Sequence, residues 1–129
     1  MILRKSKISG RGTRDPSAKN LIYTVYILKC SNDTLYTGIA RDLQKRYRAH
    51  YAGKGAKYTR MHPPVAILQA WTTSGGRSSA TKIELLLKRQ SKQGKLRLID
   101  KPKTLKALVV KKYGDTFKIK PCNKIPATP

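Results

Sequence analysis

The chain contains a single glutamate, Glu84, against 29 Lys and Arg and 6 acidic residues in all. In a sequence so poor in carboxylates, that residue is a candidate oxygen ligand for a hard divalent cation. Mg²⁺ is commonly held by one or two carboxylates, with phosphate oxygens and water completing its shell. Glu84 borders the helical stripe Ala80, Ile83 and Leu87, from which it would reach out of the core edge into a cleft. The plainer alternative is an i,i+4 bridge to Lys88, worth about 0.3 to 0.5 kcal/mol on an exposed helix. Arg46 and His50 form a second candidate pair, projecting side by side at i,i+4. A guanidinium there would stabilise charge developing on phosphate oxygens, and an imidazole would hydrogen-bond phosphate or assist proton transfer. Their alternatives are an Asp42–Arg46 surface ion pair and a satisfied core histidine. Tyr26 and Tyr36, taken alone, read as strand aromatics that pack in the core. Lys54, Lys57, Tyr58 and Arg60, interleaved with Gly53 and Gly55, offer phosphate contacts, one stacking aromatic and close backbone approach, or else form a solvated loop.

The elements that must position these residues can be read from the same sequence. Tyr23 to Lys29 is β-branched and aromatic, Ser31 to Thr34 supplies turn chemistry, and Leu35 to Ile39 returns, which predicts a β-hairpin. Tyr26 and Tyr36 share a face of that hairpin only if its loop has an odd number of residues or a bulge. Leu43, Tyr47 and His50 at i, i+4, i+7 predict a helix over 43–51, opened at Asp42 and stopped at Gly53. Residues 52–60 read as a basic loop closed by Pro63 and Pro64. Val65 to Trp71 is a third strand. A second helix follows an N-cap at Ser78 or Ser79, with Ala80, Ile83, Leu86 and Leu87 buried, and Gly94 separates it from a short third helix. Thr104 to Lys112 is a further helical segment, whereas Lys118 to Pro129 has three prolines and little to bury. The expected architecture is α+β, a three-stranded antiparallel sheet covered by helices. It occupies residues 21–100, between a disordered basic arm (1–20) and a basic extension (101–129) that is partly helical and then disordered.

The 129 residues suffice for one modest core, and the formal net charge of +23 makes a polyanion the expected partner. Nucleic acid is preferred over an anionic membrane, because neither terminus pairs its basic residues with a large apolar face. No apolar run approaches the ~20 residues of a membrane span, and no secretory signal is visible. The expected setting is therefore the cytoplasm, in association with the nucleoid and without organelle targeting, as a monomer. Cys30 and Cys122 are too few and too far apart for a disulfide framework or a paired zinc motif, and His50 and His62 do not complete one.

Taken together, Thr24-Val25-Tyr26, Tyr36-Thr37-Gly38 ten residues on, Arg46, His50 and Glu84 resemble the signature of the GIY-YIG nucleases. The similarity covers roughly residues 22–100, includes Gly53 to Arg60, and is nearest to small single-domain bacterial members. Thr24 replaces the first Gly of the signature and Thr37 occupies the middle of the second motif. The resemblance implies a fold and an activity: a metal-dependent endonuclease on phosphodiester bonds of DNA, with RNA left open. Its action would be structure-selective or weakly sequence-selective, in repair or recombination. It also implies roles. Glu84 would hold one Mg²⁺, or Mn²⁺ in its place. Tyr36 would accept a proton from the attacking water, Tyr26 would orient water or phosphate, and Arg46 and His50 would stabilise charge. The rival from another class is a non-catalytic ribosome- or nucleoid-associated binder, for which the charge alone suffices.

Overall fold

A computed structural model describes residues 21–123 and 125. The run from Tyr23 forms β1 (Tyr23–Cys30), which pairs antiparallel with β2 (Leu35–Ala40). The amide of Asp33 donates to the Cys30 carbonyl, the amide of Cys30 donates to Thr34, and Asp33 takes a left-handed φ of 64°. Ser31, Asn32 and Asp33 thus make a three-residue hairpin loop, in which a short polar side chain tolerates the positive φ. The odd loop sets the register Tyr26↔Gly38 and Leu28↔Tyr36. Side chains alternate along each strand, so this register puts both tyrosines on one face.

Asp42 opens α1 (Leu43–Tyr51) by accepting from the Lys45 amide, and the helix ends where Gly53 adopts φ 78°. There the amides of Gly53 and Lys54 return to the carbonyls of His50 and Ala49, which satisfies the last turn. The expected basic loop is only partly a loop, because Lys57–Met61 forms a short helix, α2. β3 (Pro64–Thr73) runs antiparallel to β1, with register shifts at Ile27/Leu28 and Lys29/Cys30. The first shift turns Ile67 onto the face of Leu28, beside Tyr26 and Ala70.

Helix α3 (Gly76–Lys88) begins ahead of the expected Ser78 or Ser79 cap, because the chain enters through Gly75 at φ 96°. The break that follows falls at Arg89–Ser91 instead of Gly94. Ser91 caps α4 (Lys92–Asp100) by accepting from the Gly94 amide, so Gly94 lies inside the first turn. A 3₁₀ turn (Pro102–Thr104) leads into α5 (Leu105–Tyr113).

The fold is α+β with an antiparallel sheet flanked by helices, but among the described residues the sheet has four strands, in the order β2-β1-β3-β4. The fourth, β4 (Ile119–Pro121), lies in the tail expected to be without structure, where Ile119 pairs with Thr73 and Pro121 with Trp71. The free edge of β3 offers unpaired backbone groups, and Phe117 and Ile119 have an apolar surface to cover. The arm expected over residues 1–20, and residues 124 and 126–129 of the tail, lie outside the described residues. No helix among the described residues is long and apolar enough to cross a membrane.

The sheet separates two apolar clusters. On one face Val25, Ile27 and Trp71 meet Ile83 and Leu87 of α3, Leu98 of α4, and Leu105 and Val109 of α5. The Trp71 indole donates to the Pro102 carbonyl at 2.8 Å, tying the sheet to the chain beyond residue 100. On the other face Tyr26, Leu28 and Ala70 pack with Leu43 and Tyr47 of α1. Leu105 has no exposed surface. Its replacement by Ala is expected to lower stability by about 2 to 5 kcal/mol, through the transfer energy forgone and a residual cavity. Urea unfolding of the full chain measures this, and a change under ~1 kcal/mol would mean that α5 is not part of the core.

Candidate active site

Tyr26 stands mid-strand in β1, flanked by β2 and β3, and is almost completely buried. Opposite it, Gly38 leaves room for the phenol: a Cβ at that position would lie 2.6 Å from the hydroxyl and 2.7 Å from the ring carbon that bears it. The glycine of the second motif is thus a steric requirement of the tyrosine of the first. The Tyr26 hydroxyl bonds His50 Nε2 at 2.8 Å, and His50 Nδ1 bonds the Thr59 hydroxyl at 2.7 Å. Both ring nitrogens are engaged inside the protein, and the ring has no exposed surface. The direct phosphate contact expected of His50 is therefore corrected to a hold on Tyr26. The core-histidine alternative describes its burial, though its partners belong to the site.

Tyr36, on the edge strand β2, packs edge-on against the His50 ring at 5.4 Å between centroids and stacks on Tyr58 at 6.2 Å, with planes 15° apart. The Tyr58 hydroxyl is in turn bonded by Thr34 and by Asn32 of the hairpin loop. The free stacking face expected of Tyr58 toward nucleic acid is reduced, since Tyr36 occupies one side of its ring. Lys54, Lys57 and Arg60 are exposed around it.

Arg46 lies one helical turn before His50, within reach of both phenols. Its charge favours ionisation of each. The Asp42 carboxylate caps α1, and among the described residues Asp42 and Arg46 form no ion pair. Glu84, on α3, acts on both phenols in the opposite sense, so its carboxylate and the tyrosines share one electrostatic neighbourhood. The side chain is 18% exposed and also bridges Lys88 at 3.7 Å, so the alternative anticipated for it is formed as well.

Burial dominates the ionisation of these groups. It pushes the Tyr26 and Tyr36 hydroxyls above the usual phenol range, with Arg46 opposing. Burial, reinforced by the Arg46 charge, pulls His50 down to about 4, so the imidazole is neutral at pH 7. Sequence reasoning missed Thr59 and the steric role of Gly38. The close backbone approach expected at Gly55 is directed at His50 and not at phosphate, since a Cβ there would lie 2.3 Å from Nδ1. The stretch 53–60 held the signal, obscured by its lysines.

A depressed histidine makes folding pH-dependent with a defined sign. Between about 6.5 and about 4 the unfolded chain binds a proton at His50 that the folded chain refuses, so stability present above pH 6.5 is lost as pH falls through this window. The loss amounts to about 3 kcal/mol at most. Urea midpoints measured across this range are expected to fall toward acid, and a His50→Gln variant should show a flatter profile. An equal acid slope in both proteins would contradict the buried neutral imidazole.

The GIY-YIG catalytic domain matches residues 22–97. A UPF0213 protein of Fusobacterium nucleatum is 39% identical over 82 residues, covering 64% of this chain and 81% of the relative. One from Streptococcus agalactiae is 40% identical over 79 residues, covering 61% of this chain and 89% of its own. Among solved structures, the solution NMR structure of a UPF0213 protein from Bacillus halodurans shares 34% identity, covers 61% of this chain and 83% of that one, and has a TM-score of 0.39. The family match spans the hairpin with both tyrosines, the helix with Arg46 and His50, and the helix with Glu84, and the chain belongs to the GIY-YIG family of nucleases.

Proposed function

We propose that the chain is a metal-dependent endonuclease that hydrolyses phosphodiester bonds in DNA, with structure-selective or weakly sequence-selective action, and that it serves DNA repair or recombination. The observation that carries this reading is that Tyr26 and Tyr36 meet at His50, one bonded to its ring and the other packed on it, with the charges of Arg46 and Glu84 acting on both phenols.

The donor set suits one hard cation shared with substrate. Glu84 offers a partly exposed carboxylate, and among the described residues no cluster of three or more His, Cys, Asp or Glu forms a closed cage. A site with one protein carboxylate fits Mg²⁺, or Mn²⁺ in its place, because phosphate oxygens and water complete the shell. When bound, such an ion neutralises charge on the scissile phosphate and the departing oxygen.

The chain's own residues perform the remaining work. Arg46 donates to phosphate oxygens as negative charge builds on them. Tyr36 Oη, once its own proton has passed to solvent, accepts the proton of the attacking water as a phenolate. Burial and Glu84 oppose its ionisation while Arg46 favours it, so neutralising Glu84 tips the balance toward phenolate. Tyr26, held by His50, orients the water. Lys54, Lys57 and Arg60 contact flanking phosphates, which gives affinity with little sequence choice.

Incubation of the purified protein with branched, flapped and plain duplexes in Mg²⁺ is expected to yield cleavage that chelator abolishes. Glu84→Ala and Arg46→Ala should each slow it by about 100-fold or more, the scale of removing one charge interaction made in the transition state. If the substrate stays intact over hours, the chain is a passive nucleic-acid binder of the kind its charge of +23 would support, and if it is cut but neither variant is slower, the assignment of Glu84 and Arg46 is wrong. Replacing Lys57 or Arg60 by Ala should lower the salt slope of DNA binding by about one for each phosphate that is no longer neutralised, measured by fluorescence anisotropy in chelator. An unchanged slope would place the DNA elsewhere.

A further inference from the structure

Helix α2 sends two adjacent side chains to the two tyrosines. Tyr58 stacks on Tyr36, and Thr59 reaches the imidazole that holds Tyr26. Thr59 is fully buried, and its hydroxyl has two partners: His50 Nδ1 at 2.7 Å and the Ala56 carbonyl at 2.9 Å. A carbonyl only accepts, and a threonine has one hydroxyl proton. That proton goes to Ala56, so the oxygen facing His50 must accept and Nδ1 must carry hydrogen. In a neutral ring Nε2 is then bare and accepts the Tyr26 hydroxyl proton.

We propose that Thr59 is a positioning residue that fixes the tautomer of His50 and thereby turns the Tyr26 hydroxyl proton inward, leaving the Tyr26 oxygen as an acceptor toward the phosphate site. The same polarity follows from the opposite end of the chain of bonds. The Arg46 guanidinium, whose charge acts on the Tyr26 hydroxyl, has donors only and repels a proton turned toward it, which favours sending that proton to His50. The reversed tautomer would set the Thr59 and Ala56 oxygens against each other without a proton between them, and would turn the Tyr26 proton toward a guanidinium. Gly55 closes the Nδ1 side, since a Cβ there would lie 2.3 Å from that nitrogen and 2.9 Å from the His50 Cα. An oxygen held as acceptor can receive a hydrogen bond from the nucleophilic water, which gives Tyr26 its orienting role.

The catalytic consequence rests on the nuclease reading, whereas the tautomer does not. Full-length protein carrying ¹⁵N-labelled histidine reports both ring nitrogens by NMR, and with two histidines in the chain a His62→Gln variant assigns His50. At pH 7 the wild-type ring is expected to be neutral with hydrogen on Nδ1. Thr59→Val keeps the shape and removes the acceptor. It should move the ring toward the Nε2-protonated form and lower kcat for DNA cleavage by about 10- to 100-fold with KM little changed, the range seen for partners that orient a functional imidazole. Thr59→Ser should restore both the ring spectrum and the rate. Hydrogen on Nε2 in the wild type overturns the proposal whether or not any variant folds. So does a Thr59→Val protein with wild-type ring signals and wild-type kcat. If the wild type does not cut DNA, the nuclease reading fails and the ring spectrum alone decides the assignment of Thr59.

Discussion

A buried hydrogen bond between the Tyr26 hydroxyl and His50 Nε2, 2.8 Å long, organises this protein. It joins the middle of β1 to the last turn of α1, and each end constrains what surrounds it. On the sheet side, the phenol fills the space over position 38, so only glycine fits there. On the helix side, an imidazole with no exposed surface needs a partner for its other nitrogen, because an unpaired buried polar atom costs about 1 to 3 kcal/mol. Thr59 supplies it, which in turn requires α2 to fold back over α1, with Gly55 letting the backbone pass. The stretch 53–60, basic on its outer surface, is thus built around a neutral interior contact.

The electrostatics follow the same division. The chain is strongly positive, yet the groups nearest the proposed chemistry are kept neutral by burial: two phenols above their usual range and an imidazole below its own. Arg46 and Glu84 act on the phenols with opposite sign, so the ionisation of Tyr36 reflects a local balance that the overall charge does not decide. The surrounding field draws in a polyanion, and the balance between one cation and one carboxylate tunes the site.

The other face of the sheet carries the stability that lets the site be rigid. Helices α3, α4 and α5 cover it, with Trp71 bonded to the Pro102 carbonyl and Leu105 and Val109 in the core. The segment beyond residue 100 is therefore structural as well as basic. Helix α3 serves both faces: Ile83 and Leu87 are buried against the sheet, while Glu84, between them in sequence, answers to the tyrosines and to Lys88.

Local chemistry made much of this legible from the residues alone. The hairpin, α1 with its Asp42 cap and Gly53 stop, β3 and the apolar stripe of α3 all follow from periodicity and turn residues, and the spaced tyrosines, Arg46, His50 and Glu84 carried the family likeness. An odd hairpin loop is the condition for a common tyrosine face, and Asp33 in the left-handed region meets it. What stayed hidden depends on contacts between residues distant in sequence. β4 is too short and too rich in proline to announce itself, and forms because β3 has an edge to pair. Thr59 reads as one more polar residue in a basic loop, since nothing local says that a hydroxyl at 59 will find a ring nitrogen at 50. The sequence by itself determined which side chains could meet and the charge of the surface around them. Only the tertiary structure decided which of His50's nitrogens would carry the proton, because that depends on the partners burial brings to each side of the ring.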